Sequence, residues 1–457
     1  MFTDATISKE TIKNLCAEMQ EHTRIDTARY QHYDVKRGLR NADGSGVVAG
    51  LTRVCNVHGY VMNEGEKEPI DGELTYRGIN IRDLVDGYSR RRTPRFGFEE
   101  TAYLLLFGHL PNREQLSEFN GLLQSCRELP DFFVEEMIIK SPSPSVMNKM
   151  QRNVLSFYSY DSNPDDISPE NVLRQSIFLM ATLPSMMAYA YQVKRRVYDR
   201  ATMVLHPRMD NLSTAESILY SLRPDGQFTD EEARLLDICL MLHAEHGGGN
   251  CSTFTCRVLS SSGTDTYGAI SGAIGALKGP RHGGANIKVQ EMLNYMKTEI
   301  ADPTDDEQVK DYLRRLLKGE AGDRSGLIYG MGHAVYTKSD PRSAILKRRC
   351  RIAAEEKGLG DDFLLLDAVE RLTPAVLTET RGVHAAVCAN VDLYSGLIYR
   401  TLRIPPELYT PLFAASRMAG WCAHRIEEVV TGRRIMRPAY KSVLHDIDYL
   451  PISERND

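Results

Sequence analysis

TDEEARLLDICLMLHAEHGGGN, residues 229–250, is the stretch from which the fold is read. Thr229 and Glu232 stand at the spacing of a capping box, in which the hydroxyl accepts a backbone N–H three residues on and the carboxylate reaches back. The LLDICLML run that follows is apolar nearly all round, the pattern of a helix enclosed on every side. His243 and His246 then fall at its C-terminal end, running into glycines.

Helical periodicity continues outward from this point. Val309, Tyr312, Leu313, Leu316 and Leu317 form one apolar stripe, with Lys318 and Gly319 as the stop. Val289, Met292, Leu293, Met296 and Ile300 repeat the pattern after GGAN, which puts His282 on the loop feeding a helix. The most apolar window, 178–193, contains Pro184, Thr182, Ser185 and Gln192; it is too short and polar to span a bilayer and reads as a buried helix. Strand patterns occur only at 51–61 and 72–78, and SPSPS at 141–145 is a short connection. The fold class is therefore all-α, with at most a small β-hairpin or sheet near the N-terminus. A chain of 457 residues exceeds one core, since single cores stop growing near about 250–300 residues. The Gly-rich joints place a large helical domain over 1–284, including an extension over 1–50, a small helical domain over 285–403, and a return to the large one over 404–457.

Charge and cysteine content narrow the setting. A net charge of −5 gives no footprint for nucleic acid or an anionic membrane, and the arginines at 90–92 read as solvated surface. Nine cysteines without a CxxC pair fit a reducing compartment. The opening MFTDATISKE lacks the features of a leader, so a cytoplasmic location is expected.

Three Gly-flanked histidines, His246 in HAEHGGGN, His282 in GPRHGGAN and His333 in GMGHAVYTKSDPR, are the candidates for chemistry, with Asp392 following in NVDLYSG. A carboxylate can take a carbon-bound proton if a neutral imidazole hydrogen-bonds the enolate, while a second imidazole polarises an electrophilic carbonyl. A raised carboxylate pKa suits that task. Arg342 follows Asp340 and Pro341, a capping residue and a helix opener; Arg417 lies in AASRMAGWCAH and Arg437 in RIMRPAY. Guanidinium forks converging on one pocket would hold a small di- or tricarboxylate.

HAEHGGGNCSTF, ALKGPRHGGAN, GMGHAVYTKSDPR, NVDLYSG, FAASRMAGW and RPAY, in this order, resemble the citrate synthase family from about residue 72 to the end. The resemblance implies a helical, two-domain homodimer that closes over oxaloacetate and then acetyl-CoA, a citrate (Si)-synthase type acyltransferase of the tricarboxylic acid cycle. It implies His282, His333 and Asp392 as catalytic residues, and His246, Arg342, Arg417 and, more weakly, Asn250 as oxaloacetate ligands. Arg437 would reach across the dimer interface. Leu327, Gly330 and Gly332 fall in the loop expected around the adenine of CoA. Thr337 departs from the Arg or Lys common in relatives, so that a phosphate contact is either lost or moved to Lys338, and Arg281 replaces a common Leu and could assist. CoA is expected as a co-substrate and no cofactor or metal is required.

Two other enzymatic readings compete. 2-Methylcitrate synthase shares the same machinery, and one methylene in a pocket is worth only about 1–3 kcal/mol, so the sequence does not separate propionyl-CoA from acetyl-CoA. A metal-dependent hydrolase is disfavoured because HAEH lacks the i, i+4 histidine spacing.

Overall fold

A computed structural model describes residues 9–26, 30, 33–64, 66–382, 386–432 and 434–455. The chain divides into two units, 1–51 and 52–457. The first carries helix α1 (Lys9–Thr23). The second opens with an antiparallel sheet in the order β1 (Cys55–Asn63), β2 (Glu66–Tyr76), β3 (Ile79–Asn80). Helices follow: α2 (Ile81–Ser89), α3 (Gly97–Phe107), α4 (Arg113–Ser125), α5 (Val146–Ser156), α6 (Pro169–Tyr198), α7 (Thr214–Leu222) and α8 (Asp230–His243). After these come α9 (Cys251–Ser261), α10 (Thr266–Lys278), the short α11 (Pro280–Gly283), α12 (Ala285–Glu299), α13 (Asp306–Leu317), α14 (Pro341–Glu356), α15 (Gly360–Arg381), α16 (Asp392–Thr401) and α17 (Tyr409–Thr431). A small sheet on a helical body is the architecture the periodicities predict.

The capping box at α8 forms in full: Thr229 Oγ1 accepts the N–H of Glu232 at 3.2 Å, and the Glu232 carboxylate accepts that of Thr229 at 3.1 Å. From Leu236 to His243 every side chain of α8 is buried, as an all-round apolar run requires. Each fully buried leucine there contributes about 1.5–3 kcal/mol relative to an exposed one. Helix α17 packs on α6, α9, α3 and α8 and buries Trp421 completely. On α13 the stripe Val309, Tyr312, Leu313, Leu316, Leu317 is buried, and Gly319 takes the left-handed conformation just past its end.

The helical pattern survives Pro184. Helix α6 runs through it, although an interior proline removes one backbone bond and costs about 3 kcal/mol. Leu179 to Pro184 and Met186 to Ala188 are all buried, and that packing offsets the loss. No described helix is long and apolar enough to cross a membrane.

The β1–β2 hairpin positions the site. It lies against residues 335–339 so closely that a Cβ on Gly59 would stand 2.7 Å from the Val335 carbonyl oxygen, and one on Gly72 2.0 Å from that of Ser339. Only glycine permits that approach. Asp71 and Ser339 form an isolated parallel bridge, and Ser339 Oγ accepts the Gly72 N–H at 3.0 Å while donating to Asp71 at 3.0 Å.

Candidate active site

His333 ends a Gly-rich loop and is oriented by its own chain. The N–H groups of Val335 and Tyr336 both donate to its Nδ1, at 3.0 and 3.1 Å, so the proton of the neutral ring sits on Nε2. The Tyr336 ring stacks on it at 4.7 Å, and the edge of His246 meets it at 5.0 Å. The Tyr336 hydroxyl lies 3.3 Å from His246 Nε2 and 3.3 Å from the carbonyl oxygen of Glu73 on β2.

A strand-like pairing brings Asp392 to the same place. Gly332 N–H donates to the Cys388 carbonyl at 2.8 Å and Asn390 N–H to that of Gly330 at 2.9 Å. The Asn390 side chain donates to the Gly332 carbonyl at 3.0 Å and accepts the Asp392 N–H at 3.0 Å. Residue 392 thus opens α16 beside the His333 loop, though the two are 59 residues apart in the chain.

His282 arrives from α11. Its Nε2 accepts the Ser252 N–H at 3.3 Å and lies 3.0 Å from Ser252 Oγ, which leaves the proton of the neutral ring on Nδ1. Ser252 is held in turn: Trp421 Nε1 donates to its Oγ at 3.2 Å, and that Oγ donates to Asn250 Oδ1 at 3.0 Å.

Two arginines complete the cluster, and both are buried. Asp340 caps α14 through the Arg342 N–H at 2.9 Å, and its two oxygens accept Nε and Nη2 of the same arginine at 3.1 and 2.8 Å. Arg417, on α17, donates Nε to the His243 carbonyl at 2.7 Å and lies over the Phe413 ring at 4.7 Å; its Nη2 is buried with no partner among the described residues. A buried guanidinium nitrogen without an acceptor is costly and marks a place for an anion. Behind it, Glu245 is fully buried and accepts from His424 Nε2 at 3.0 Å and from Cys55 Sγ at 3.3 Å. Arg257 donates to His424 Nδ1 at 2.8 Å.

The electrostatics tie these groups together. Burial pushes the Asp392 carboxyl up to about 6, with Arg342 and Arg417 pulling back and Asp340 adding to the rise. Burial and the charge of Arg417 bring His282 down to about 4. His246 falls well below the usual histidine range through burial and the charges of Arg342, His333 and Arg417. Burial would raise Glu245, but His424 and Arg417 outweigh it and hold the carboxyl at about 2. At neutral pH the cluster therefore offers one carboxylate base of raised pKa, His246 and His282 as neutral imidazoles, and two cations.

The remaining candidates make contacts of other kinds. Asn250 caps α9, with Oδ1 accepting the Thr253 N–H at 3.1 Å and Nδ2 donating to the His246 and Gly247 carbonyls at 3.3 and 2.6 Å, so its amide is already engaged. Arg437 is exposed in the irregular segment after α17. Leu327 and Arg281 are exposed, and Lys338 faces Asp71 at 3.9 Å. His243 is fully buried against Phe413 at 4.4 Å, and burial with the charges of Arg342 and Arg417 holds it well below the usual histidine range. Sequence reasoning missed Ser252, Tyr336, Glu245 and His424. All four lie inside quoted motifs, but only their partners, 30 to 179 residues away, show what they do.

The family model described as "Citrate synthase, C-terminal domain" matches residues 41–439. The citrate synthase of Synechocystis is 33% identical over 90% of this chain and 93% of its own length, and citrate synthase 1 of Mycobacterium tuberculosis is 37% identical over 78% of each. Among solved structures, the citrate synthase of Thermotoga maritima superposes with a TM-score of 0.72 at 29% identity, covering 93% of this chain and all of that one. A citrate synthase from Thermoplasma acidophilum, solved as a ternary complex with carboxymethyl coenzyme A and oxaloacetate, gives 0.73 at 25% identity over 92% of this chain. The chain belongs to the citrate synthase family, an enzyme class that makes citrate by forming a carbon–carbon bond.

Proposed function

We propose that this protein condenses acetyl-CoA with oxaloacetate and water to give citrate and free CoA. The observation that supports the reading is that two buried arginines act on the candidate groups together: Arg342 and Arg417 on Asp392, whose carboxyl is raised to about 6, and on His246, and Arg417 on His282. Arg342, Arg417 and His246 hold the carboxylates of oxaloacetate. Asp392 removes a methyl proton of the thioester, and the electron pair left behind moves onto the carbonyl oxygen, where His282 Nδ1–H stabilises the enolate. The enolate carbon attacks the ketone carbon of oxaloacetate; its C=O electron pair becomes an alkoxide that takes a proton from His333 Nε2. The two N–H donors on His333 Nδ1 support the ring as that proton leaves. Water then attacks the thioester of citryl-CoA, the C–S bond breaks, and citrate and the CoA thiol separate.

CoA is a co-substrate in this scheme, with Leu327, Gly330, Gly332, Lys338 and Arg281 along its path, and the steps need neither metal nor cofactor. Residues 285–403 close on the remainder over oxaloacetate, and expulsion of water strengthens the site's electrostatics. Two copies assemble so that Arg437 of each reaches the other's pocket, in the cytoplasm. Thiol release across a grid of acetyl-CoA or propionyl-CoA with several 2-oxoacids tests the reading: the acetyl-CoA and oxaloacetate pair should be fastest. Faster turnover of propionyl-CoA would reassign the protein as a 2-methylcitrate synthase, and no thiol release from any pair would reject the reaction class.

A further inference from the structure

Tyr336 is fully buried, and its hydroxyl stands at 3.3 Å from each of two acceptors, the Glu73 carbonyl oxygen and His246 Nε2. The hydroxyl has one proton and can satisfy one of them. If it donates to Glu73, the phenol oxygen accepts from His246 Nε2–H, and the neutral imidazole is left with a lone pair on Nδ1. If it donates to His246 Nε2, the ring proton sits on Nδ1 and that nitrogen becomes a donor. A carboxylate arriving beside Arg342 and Arg417 is repelled by the first arrangement and bonded by the second.

We propose that Tyr336 is a positioning residue whose hydroxyl sets the tautomer of His246, turning from Glu73 to His246 Nε2 when the dicarboxylate binds. The assignment rests on the oxaloacetate reading above. The same residue holds His333 by different atoms, its backbone N–H and its ring face, so the two histidines can be separated experimentally. Tyr336→Phe removes only the hydroxyl and keeps the stack and the N–H.

The test is a double-mutant cycle on Tyr336→Phe and His246→Ala, with oxaloacetate KM, kcat and thermal midpoint measured for each protein. Tyr336→Phe alone is expected to raise the oxaloacetate KM about tenfold with little change in kcat, the scale of one lost hydrogen bond. In the His246→Ala background it should change KM less than about twofold, because the hydroxyl then has no histidine to orient. Effects that multiply, or an unchanged KM in Tyr336→Phe, overturn the inference. Should the variant fold poorly, 15N-histidine spectra of the unaltered protein with oxaloacetate decide: a proton on His246 Nδ1 is expected, and one on Nε2 overturns the assignment. An unaltered protein that forms no citrate defeats the parent reading and this one with it, whereas normal turnover with multiplying effects defeats this one alone.

Discussion

Ser252 points its backbone N–H at His282 Nε2 from 3.3 Å, which leaves Nδ1–H as that histidine's donor. The bond comes from the first turn of α9, where the N–H groups have no partners within the helix. The tautomer of His282 is thus set by a helix end, and the burial that keeps the ring neutral also keeps it a donor with a single proton. His282→Ala should lower kcat about 100- to 1,000-fold, the usual cost of one donor to a developing oxyanion, while the oxaloacetate KM stays within about threefold. Steady-state thiol release with each substrate varied separates the two constants.

Asp392 predicts the acid limb of the pH profile. With its pKa raised to about 6, log kcat/KM for acetyl-CoA should bend near pH 6 and fall with unit slope below it, because the protonated acid cannot accept the methyl proton. His282, at about 4, stays neutral through that range and adds no second bend above pH 5. A profile flat down to pH 5 would remove Asp392 as the base.

The same group exacts a stability cost. Its folded pKa of about 6 lies above the ordinary aspartate value of 3.8, so the folded state disfavours the ionised form. The cost is full above pH 6, shrinks as pH falls, and is absent below about pH 4, where both states are protonated. Asp392→Asn should therefore raise stability at pH 7 by up to about 3 kcal/mol and change little at pH 3.5. Urea melts at the two pH values check the sign; equal shifts at both would contradict it.

Much of this was readable in the chain because it is local. The Thr229–Glu232 box, the α13 stripe and the Asp340–Pro341–Arg342 helix start each join residues within a turn or two, and spacing alone encodes them. The cluster's main residues carry glycine or motif context that marked them. The cap that Asn250 places on α9 is local and follows from its position just before the helix. Ser252, Tyr336 and the Glu245–His424 pair were not legible: their partners lie far along the chain, and a serine, a tyrosine or a buried glutamate carries no spacing signal for such contacts. Gly59 and Gly72 are invisible for the same reason, as the clash they avoid is with a loop more than 260 residues away.

Gly72→Ala tests the clasp between the hairpin and the segment that follows His333. Its Cβ would meet a backbone oxygen at 2.0 Å, so the hairpin must lift from residues 335–339. Destabilisation of about 2 kcal/mol or more is expected, with loss of oxaloacetate affinity because β2 also carries the Glu73 carbonyl that meets Tyr336. Gly87→Ala, which meets open space in a helix, serves as the control and should be neutral or slightly stabilising.

Arg417 should matter for binding more than for folding. Replacing it with Met removes a buried cation whose Nη2 has no partner among the described residues, so the thermal midpoint is expected to move by only a few degrees. The oxaloacetate KM should rise about 100-fold, the loss of a charge-assisted pair of hydrogen bonds. A variant that unfolds yet binds normally when refolded would reverse this assignment.

The central claim is that Asp392 takes the proton that starts the condensation. The direct measurement is CoA release by Asp392→Asn with acetyl-CoA and oxaloacetate, alongside calorimetric binding of oxaloacetate. The account predicts turnover reduced by about 1,000-fold or more with oxaloacetate affinity nearly unchanged. Turnover within about tenfold of the unaltered protein, with binding intact, would contradict it.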